Sequence, residues 1–269
     1  MYRIDGDLQS GVCSGLIDTH CHLDMEPLYA DISGVLFRAA AAGIEQFVVP
    51  GVHPEGWERI ARLADLHGGV FPAFGIHPMH AAAADDITLA ELERYAPGGV
   101  AIGEIGLDPA YPVPLERQEQ AFRDQLRLAV RHGLPVLVHC RRAFQKTLAL
   151  LRDENASLVG GIMHAFSGSV EMAGEFIRLG FAISISGIVT RADAVRPAEL
   201  VRRLPLEHLV LETDAPDLAP QRHLGGPNQP AYLTETLERV AAIKGISVFE
   251  AAGSCRETSR RILKRLRGS

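Results

Sequence analysis

Cysteine is scarce and scattered: Cys13, Cys21, Cys140 and Cys255 are the only four in 269 residues, and no Cys-Xaa-Xaa-Cys occurs. That spacing argues against a disulfide framework and a thiolate zinc knuckle, and it points to a reducing cytoplasm. Long apolar runs are missing too. None approaches the roughly 18 residues a membrane span requires, so no membrane association is expected. Positive charge is in deficit: the formal net charge is −6, and no dense Lys/Arg run precedes the last dozen residues, where Arg256, Arg260, Arg261, Lys264, Arg265 and Arg267 gather. The sequence therefore lacks an obvious broad basic surface for gripping duplex nucleic acid. The basic tail reads as the solvated face and positive end of a final helix, because Ile262, Leu263 and Leu266 are spaced as one helical face; contact with a phosphate backbone is its other reading. Internal repeats, low-complexity tracts and a dividing linker are absent as well. One domain over residues 16–269 follows, with no protein partner predicted. Residues 1–15 carry Arg3, Asp5 and Asp7 without a continuous apolar stretch, which reads as a loose N-terminal extension and not as a secretory signal.

What the chain does have is alternation. Short apolar, β-rich runs occur at Gly15–Thr19, Gln46–Pro50, Val70–Gly75, Val100–Gly106, Pro135–His139, Gly161–Ala165, Ala182–Ile185 and Leu209–Thr213. Helical periodicity follows each, as in Leu115–His132, where Leu115, Phe122, Leu126, Ala129 and Val130 share one face and Arg117, Glu119, Arg123 and Arg127 the other. Further helices are predicted at Asp31–Ala42, Pro54–His67, Ala143–Asn155, Val170–Leu179, Pro197–Arg203 and Pro230–Lys244, with a weaker one at Leu89–Tyr95. Eight such units predict an α/β fold, a (β/α)8 TIM barrel with parallel strands, plus an additional C-terminal helix over Val248–Arg267. The long connections Asp108–Pro114 and Asp217–Pro230 both follow strands, on the face where such barrels carry their sites.

Potential ligands stand at those strand ends. In Ile17-Asp18-Thr19-His20-Cys21-His22 the two histidines are two residues apart, so strand geometry aims both imidazoles to one side. Glu104 lies between Gly103 and Gly106 at the end of the fourth run; His139, His164 and Asp214 close the fifth, sixth and eighth. Each alone has a bland reading as a cap or a backbone partner. Together, four histidines and two carboxylates on one face suffice for two metal ions with open positions, and a dication offsets the cost of ionising a buried Glu104 and Asp214. Cys21 and Cys140, each beside a ligand, should face away into packing.

Five stretches carry a resemblance. Ile17-Asp18-Thr19-His20-Cys21-His22-Leu23-Asp24, Gly103-Glu104-Ile105-Gly106-Leu107-Asp108, Val138-His139-Cys140-Arg141, His164-Ala165-Phe166-Ser167-Gly168-Ser169 and Leu211-Glu212-Thr213-Asp214-Ala215-Pro216 look like the ordered motifs of the TatD family of metal-dependent deoxyribonucleases, in the amidohydrolase superfamily. The resemblance runs from about Leu16 onward. It implies a TIM barrel with two divalent cations, His20, His22 and Asp214 on one, His139 and His164 on the other, and Glu104 shared. It also implies that His77, in Gly75-Ile76-His77-Pro78, reaches the substrate; a capping histidine is the other reading of that residue. The chain departs from the pattern at Pro109-Ala110-Tyr111, where members often have a tyrosine pair, at Arg141-Arg142, where they often have Arg then Asp, and at Asp217, which stands in place of an apolar residue.

The expectation is a cytoplasmic, metal-dependent phosphodiesterase, a deoxyribonuclease cutting DNA or short oligonucleotides with single-stranded or frayed ends preferred. Asp214 and Glu104 are the expected catalytic residues. His77, Arg141 and Asn228 are the candidate substrate contacts, although Arg141 reads equally as the partner of an acidic loop and Asn228 as a helix cap. Zinc or manganese suits the ligands, and a phosphate substrate often brings magnesium. Ester, lactone or amide hydrolysis on the same scaffold is one alternative, and a non-catalytic metal-binding scaffold is another.

Overall fold

A computed structural model describes residues 13–266; residues 1–12, most of the expected extension, and 267–269 lie outside the described residues. The described residues form eight strands: β1 (Leu16–Asp18), β2 (Ile44–Pro50), β3 (Val70–Phe74), β4 (Ala101–Leu107), β5 (Val136–Cys140), β6 (Gly161–Met163), β7 (Phe181–Ile185) and β8 (Leu209–Leu211). They alternate with α1 (Ile32–Ala41), α2 (Trp57–Leu66), α3 (Asp86–Tyr95), α4 (Leu115–His132), α5 (Phe144–Asp153), α6 (Val170–Arg178), α7 (Val195–Arg203) and α8 (Leu233–Lys244). All neighbouring strands pair in parallel, in the order β1 to β8. This is the expected barrel, and its seam lies beyond the strand ends: Thr19 N–H donates to Leu211 O (3.0 Å), Asp214 N–H to His20 O (2.9 Å) and His22 N–H to Ala215 O (2.7 Å).

Strand alternation divides the core in two. One residue from each strand points inward, Ile17, Val48, Ala73, Ala101, Leu137, Ile162, Ala182 and Val210, while neighbours such as Leu16, Phe47, Val49 and Val136 pack outward against the helices. Three of the eight inward residues are alanines, which leaves room at the base. That room is taken by the C-terminal segment.

The last helix, α9 (Val248–Ile262), is capped by Ser247, whose Oγ accepts from Glu250 N–H at 3.1 Å. It was expected to run to Arg267, but it stops at Ile262, and Lys264–Leu266 form a separate 3-10 turn. The reason is packing. Leu263 and Leu266, each 0% exposed, turn into the barrel's base, a burial worth about 2 kcal/mol apiece. The basic tail is not simply solvated either: Arg265 Nη1 donates to the carbonyls of Pro97 (2.9 Å) and Gly99 (2.6 Å). The weakly signalled helix proves real and starts earlier, at Asp86, because Asp85 caps it through Thr88 N–H (2.8 Å).

Candidate metal centre

The apolar run of β1 ends at Asp18, and His20 and His22 follow on the segment that forms the seam. Across it, β8 ends at Leu211, and Asp214 sits in the left-handed region at φ 57°, a conformation that short polar side chains tolerate better than most. Glu104 was expected at the end of the fourth strand and lies inside β4 instead, between Ile102 and Ile105, where the β4–β5 register shifts. The nearby glycines serve close backbone packing. A Cβ on Gly106, whose φ is 147°, would lie 1.9 Å from His139 O, so only glycine lets β5 lie against β4 here.

These elements converge on one buried cluster. The Nε2 atoms of His20 and His22 lie 3.7 and 3.5 Å from Asp214 Oδ1, and 3.2 and 3.9 Å from Glu104 Oε2. The other oxygen of Glu104, Oε1, is 3.0 Å from His139 Nδ1, 3.6 Å from His77 Nε2 and 3.8 Å from His164 Nε2. His164 Nε2 is also 3.6 Å from Asp214 Oδ1, so this imidazole faces the space between the two groups. Among the described residues three tight sets of donor atoms result, each within 4.8 Å of one another: His20, His22 and Asp214; His20, His164 and Glu212; and His77, Glu104 and His139. His139 and His164 do not fall in one such set; their rings are 6.2 Å apart.

Three buried carboxylates brace the cluster from behind, and none was singled out from the sequence. Glu212 Oε2 is 3.0 Å from His164 Nδ1, and Asp108 Oδ2 is 3.1 Å from His139 Nε2. Each carboxylate favours a proton on the outer nitrogen of its imidazole, so that once the inner nitrogen gives up its own proton it is the one left to meet a cation. Asp18 accepts from Thr213 N–H (2.9 Å) and from Thr213 Oγ1 (2.5 Å), tying the Asp214 loop to β1. Burial pushes the Asp18 carboxyl up to about 7. The sequence signal was available: Asp18, Asp108 and Glu212 are acidic residues at the ends of apolar runs, two or more residues from a ligand.

The electrostatics are those of a site built around charge. Burial alone would raise the Glu104 carboxyl, but His20, His77 and His164 around it hold it well below the usual carboxylate range. Burial opposes protonation of His22 and His164 as well, yet the Asp214 contact with His22 raises the former to about 9, and Glu212, Asp214 and Glu104 raise the latter to about 10. His20 has neither ring nitrogen hydrogen-bonded, and His22 Nδ1 is likewise unpartnered. Unsatisfied buried imidazole nitrogens next to carboxylate oxygens are costly, and a cation would satisfy them, so these residues fit a metal centre.

His77 combines its two sequence readings. Its Nδ1 caps the turn after β3 by accepting from Met79 N–H (3.2 Å), and its Nε2 faces Glu104. Burial pushes it down to about 3, so the ring is neutral with its proton on Nε2. Tyr111 stands at the mouth, its ring edge-on to His77 with centroids 5.5 Å apart. Arg141 is exposed at the rim. Asn228, expected as a substrate contact or a helix cap, is 0% exposed, its Nδ2 donating to Thr213 O (2.8 Å) and Asp217 O (2.7 Å) while Oδ1 accepts from Gln229 N–H (2.9 Å). These bonds hold the loop that carries Asp214. Cys21 and Cys140 pack away from the cavity, and Cys140 Sγ meets Thr147 Oγ1 at 3.2 Å.

Comparison with known proteins agrees with this geometry. Residues 17–264 match the family described as TatD related DNase. The chain is 38% identical over 243 residues to the uncharacterized metal-dependent hydrolase YcfH of Escherichia coli, covering 88% of this chain and 91% of that one. It is 34% identical over 269 residues to the human deoxyribonuclease TATDN3, covering 94% and 96%. Among solved structures it superposes on YJJV, a TatD homologue from Escherichia coli, with a TM-score of 0.88 at 33% identity, covering 92% of this chain and 97% of that one. The chain belongs to the TatD related DNase family.

Proposed function

We propose that this metal-dependent hydrolase is a two-metal phosphodiesterase that cuts DNA or short oligonucleotides. Hydrolysis of ester bonds follows from its family and relatives; the number of ions and the residue roles are our reading. The observation that carries it is Glu104, whose Oε2 lies against His20 (3.2 Å) and whose Oε1 lies against His139 (3.0 Å), so that one carboxylate serves two groups of imidazoles. In this reading His20, His22 and Asp214 hold one cation, His139 and His164 the other, and Glu104 is shared. The outer carboxylates support the second set, since Asp108 and Glu212 leave His139 Nδ1 and His164 Nε2 as the inner donors. His77 is not a ligand, because its Nδ1 is occupied by Met79 N–H and its Nε2 carries a proton. Zinc, manganese or magnesium suits this mixed donor set with a phosphate substrate.

When bound, the cations supply the Lewis acidity that acidifies a water and offsets phosphoryl charge. The protein does the rest. Asp214 is the base: its side chain is 14% exposed, against 3% for Glu104 and 1% or less for Asp108 and Glu212, so its carboxylate is the one placed to take a proton from an attacking water. His77 Nε2–H donates to a phosphoryl oxygen, and Arg141 at the rim pairs with a non-bridging oxygen of the substrate. Because His20, Glu104 and His164 are recessed, a phosphate reaches them most readily where a strand has left the duplex; hence single strands and frayed ends are preferred. Four free thiols fit a reducing cytoplasm as its place of action. No helix among the described residues is long and apolar enough to cross a membrane.

The test is an assay of metal-stripped protein with Mg, Mn or Zn added back, against single-stranded DNA, duplex DNA, a simple phosphodiester, a carboxyl ester and a lactone. The reading expects turnover of the phosphodiesters only with metal, and faster cutting of single strand than of blunt duplex. Turnover confined to the ester or lactone overturns the substrate class, and no turnover with any cation leaves a binding scaffold.

A further inference from the structure

On the active face, the loops after β5, β6 and β7 and the start of α7 line a groove of about 620 Å³ that carries Arg141, Arg142, Arg191 and Arg196, with Asp193 as its one acidic residue. This concentration of positive charge occurs in a chain whose formal net charge is −6. On the helices arginines are commonly paired: Arg123 with Asp153 and Glu154, Arg127 with Glu154, Arg152 with Glu175. None of the groove arginines is in an ion pair among the described residues. Arg191 is held in place instead, its Nη2 donating to Ala219 O at 3.1 Å. The chain also accepts backbone strain here, for Arg142 lies in the left-handed region at φ 53°. Four guanidinium groups gathered around a single carboxylate repel one another, and an extended polyanion relieves that repulsion while matching their forked donors.

Two residues of the groove follow closely in sequence on candidate metal ligands. Arg141 is two residues past His139, and Ser167, which also lines the groove, is three past His164. A second hollow of about 500 Å³ shares Arg142 and Phe144 with the first, so the concave surface continues beyond it.

We infer that this groove binds single-stranded DNA flanking the phosphate to be cut, with Arg142, Arg191 and Arg196 pairing with backbone phosphates that do not react. The inference rests on the phosphodiesterase reading of the metal centre and adds a subsite to it. It makes oligonucleotides better substrates than simple diesters through KM and not through kcat, because the contacts lie away from the reacting atoms.

The experiment compares the metal-loaded parent with R142A/R191A/R196A and with R142K/R191K/R196K. Arg142 and Arg196 are exposed and Arg191 partly so, and circular dichroism checks the fold of each. Three readouts are taken: kcat and KM for an oligothymidylate of about twelve nucleotides, kcat/KM for bis(4-nitrophenyl) phosphate, and anisotropy of the labelled oligonucleotide at several salt concentrations. The alanine triple should raise the oligonucleotide KM about tenfold or more and reduce the salt slope of binding by about 2, from three lost contacts at about 0.7 each, while the small diester is turned over as before. The lysine triple should restore most of the slope. Unchanged KM and slope in the alanine triple, with the parent active on both substrates, overturn the groove and leave the metal centre's reading intact. A parent inactive on both substrates overturns that reading; a binding slope lost in the alanine triple then still supports the groove, and an unchanged slope removes it too.

Discussion

At the N-terminal end of the barrel Leu263 and Leu266 fill the space left by the small inward residues, whereas at the C-terminal end the same strands close on His20, His22, Glu104, His139, His164 and Asp214. The base is held by burial, with Arg265 bonding loop carbonyls at its edge. The upper end buries carboxylates and imidazoles that pay for desolvation through one another and, when present, through a cation. The two ends therefore answer to different perturbations. One should lose stability without losing chemistry, and the other should lose chemistry with little loss of fold.

The largest expected effect separates them most sharply. Leu263→Ala should cost about 2–5 kcal/mol of stability, read by denaturant unfolding, with kcat and KM of the folded protein at parental values. Next comes Asp214→Asn, which keeps the shape but removes charge and base; kcat should fall roughly a hundredfold or more with a smaller change in KM, and the loss of stability should be smaller than in Leu263→Ala. An Asn variant within about threefold of the parent would make Asp214 a ligand only and move the base elsewhere. A smaller effect tests the bracing layer: Glu212→Gln replaces the acceptor at His164 Nδ1 with an amide free to present either end, and cation affinity in a chelator competition should fall about 10- to 100-fold. Unchanged affinity would show that Glu212 does not orient His164.

The smallest effect is a difference in pH dependence. His22 and His164 are raised in the metal-free fold from an ordinary 6.5 to about 9 and about 10. Groups raised on folding stabilise fully below the unfolded value, and that contribution is lost as pH rises through the folded values. Metal-stripped protein should therefore lose melting temperature between about pH 6.5 and 10. Metal-loaded protein should not, because cation binding displaces those protons and strengthens as they leave. Parallel melting curves with and without metal would contradict the assignment.

Much of the upper end was legible because its chemistry interrupts a strong pattern. An imidazole or carboxylate near the end of an apolar run, repeated in five of the eight strand units, needs no structure to be noticed, although His20 and His22 lie past the end of β1 and are positioned by the seam, not by strand alternation. Glu212 and Asp18 were legible in the same pattern, each two residues before a ligand, but they carry no ligand role of their own and so drew no attention. The arginine groove was hidden because Arg141 and Arg142 are some fifty residues from Arg191 and Arg196, and only the barrel brings the loops together. The bonding of Asn228 was hidden for a different reason: a polar residue before Pro230 reads as a contact or a cap, and nothing local reveals that its amide bonds to Thr213 and Asp217. At the base, periodicity through Ile262, Leu263 and Leu266 suggested a longer helix, since one helical face and a turn folded into a cavity share that spacing.

The central claim is that Glu104 joins two cation sites, and counting ions tests it most directly. Protein saturated with manganese, freed of excess metal and measured by elemental analysis should contain two ions per chain, and His139→Ala should contain one with its circular dichroism unchanged. One ion in the parent, or two retained in His139→Ala, would contradict the account.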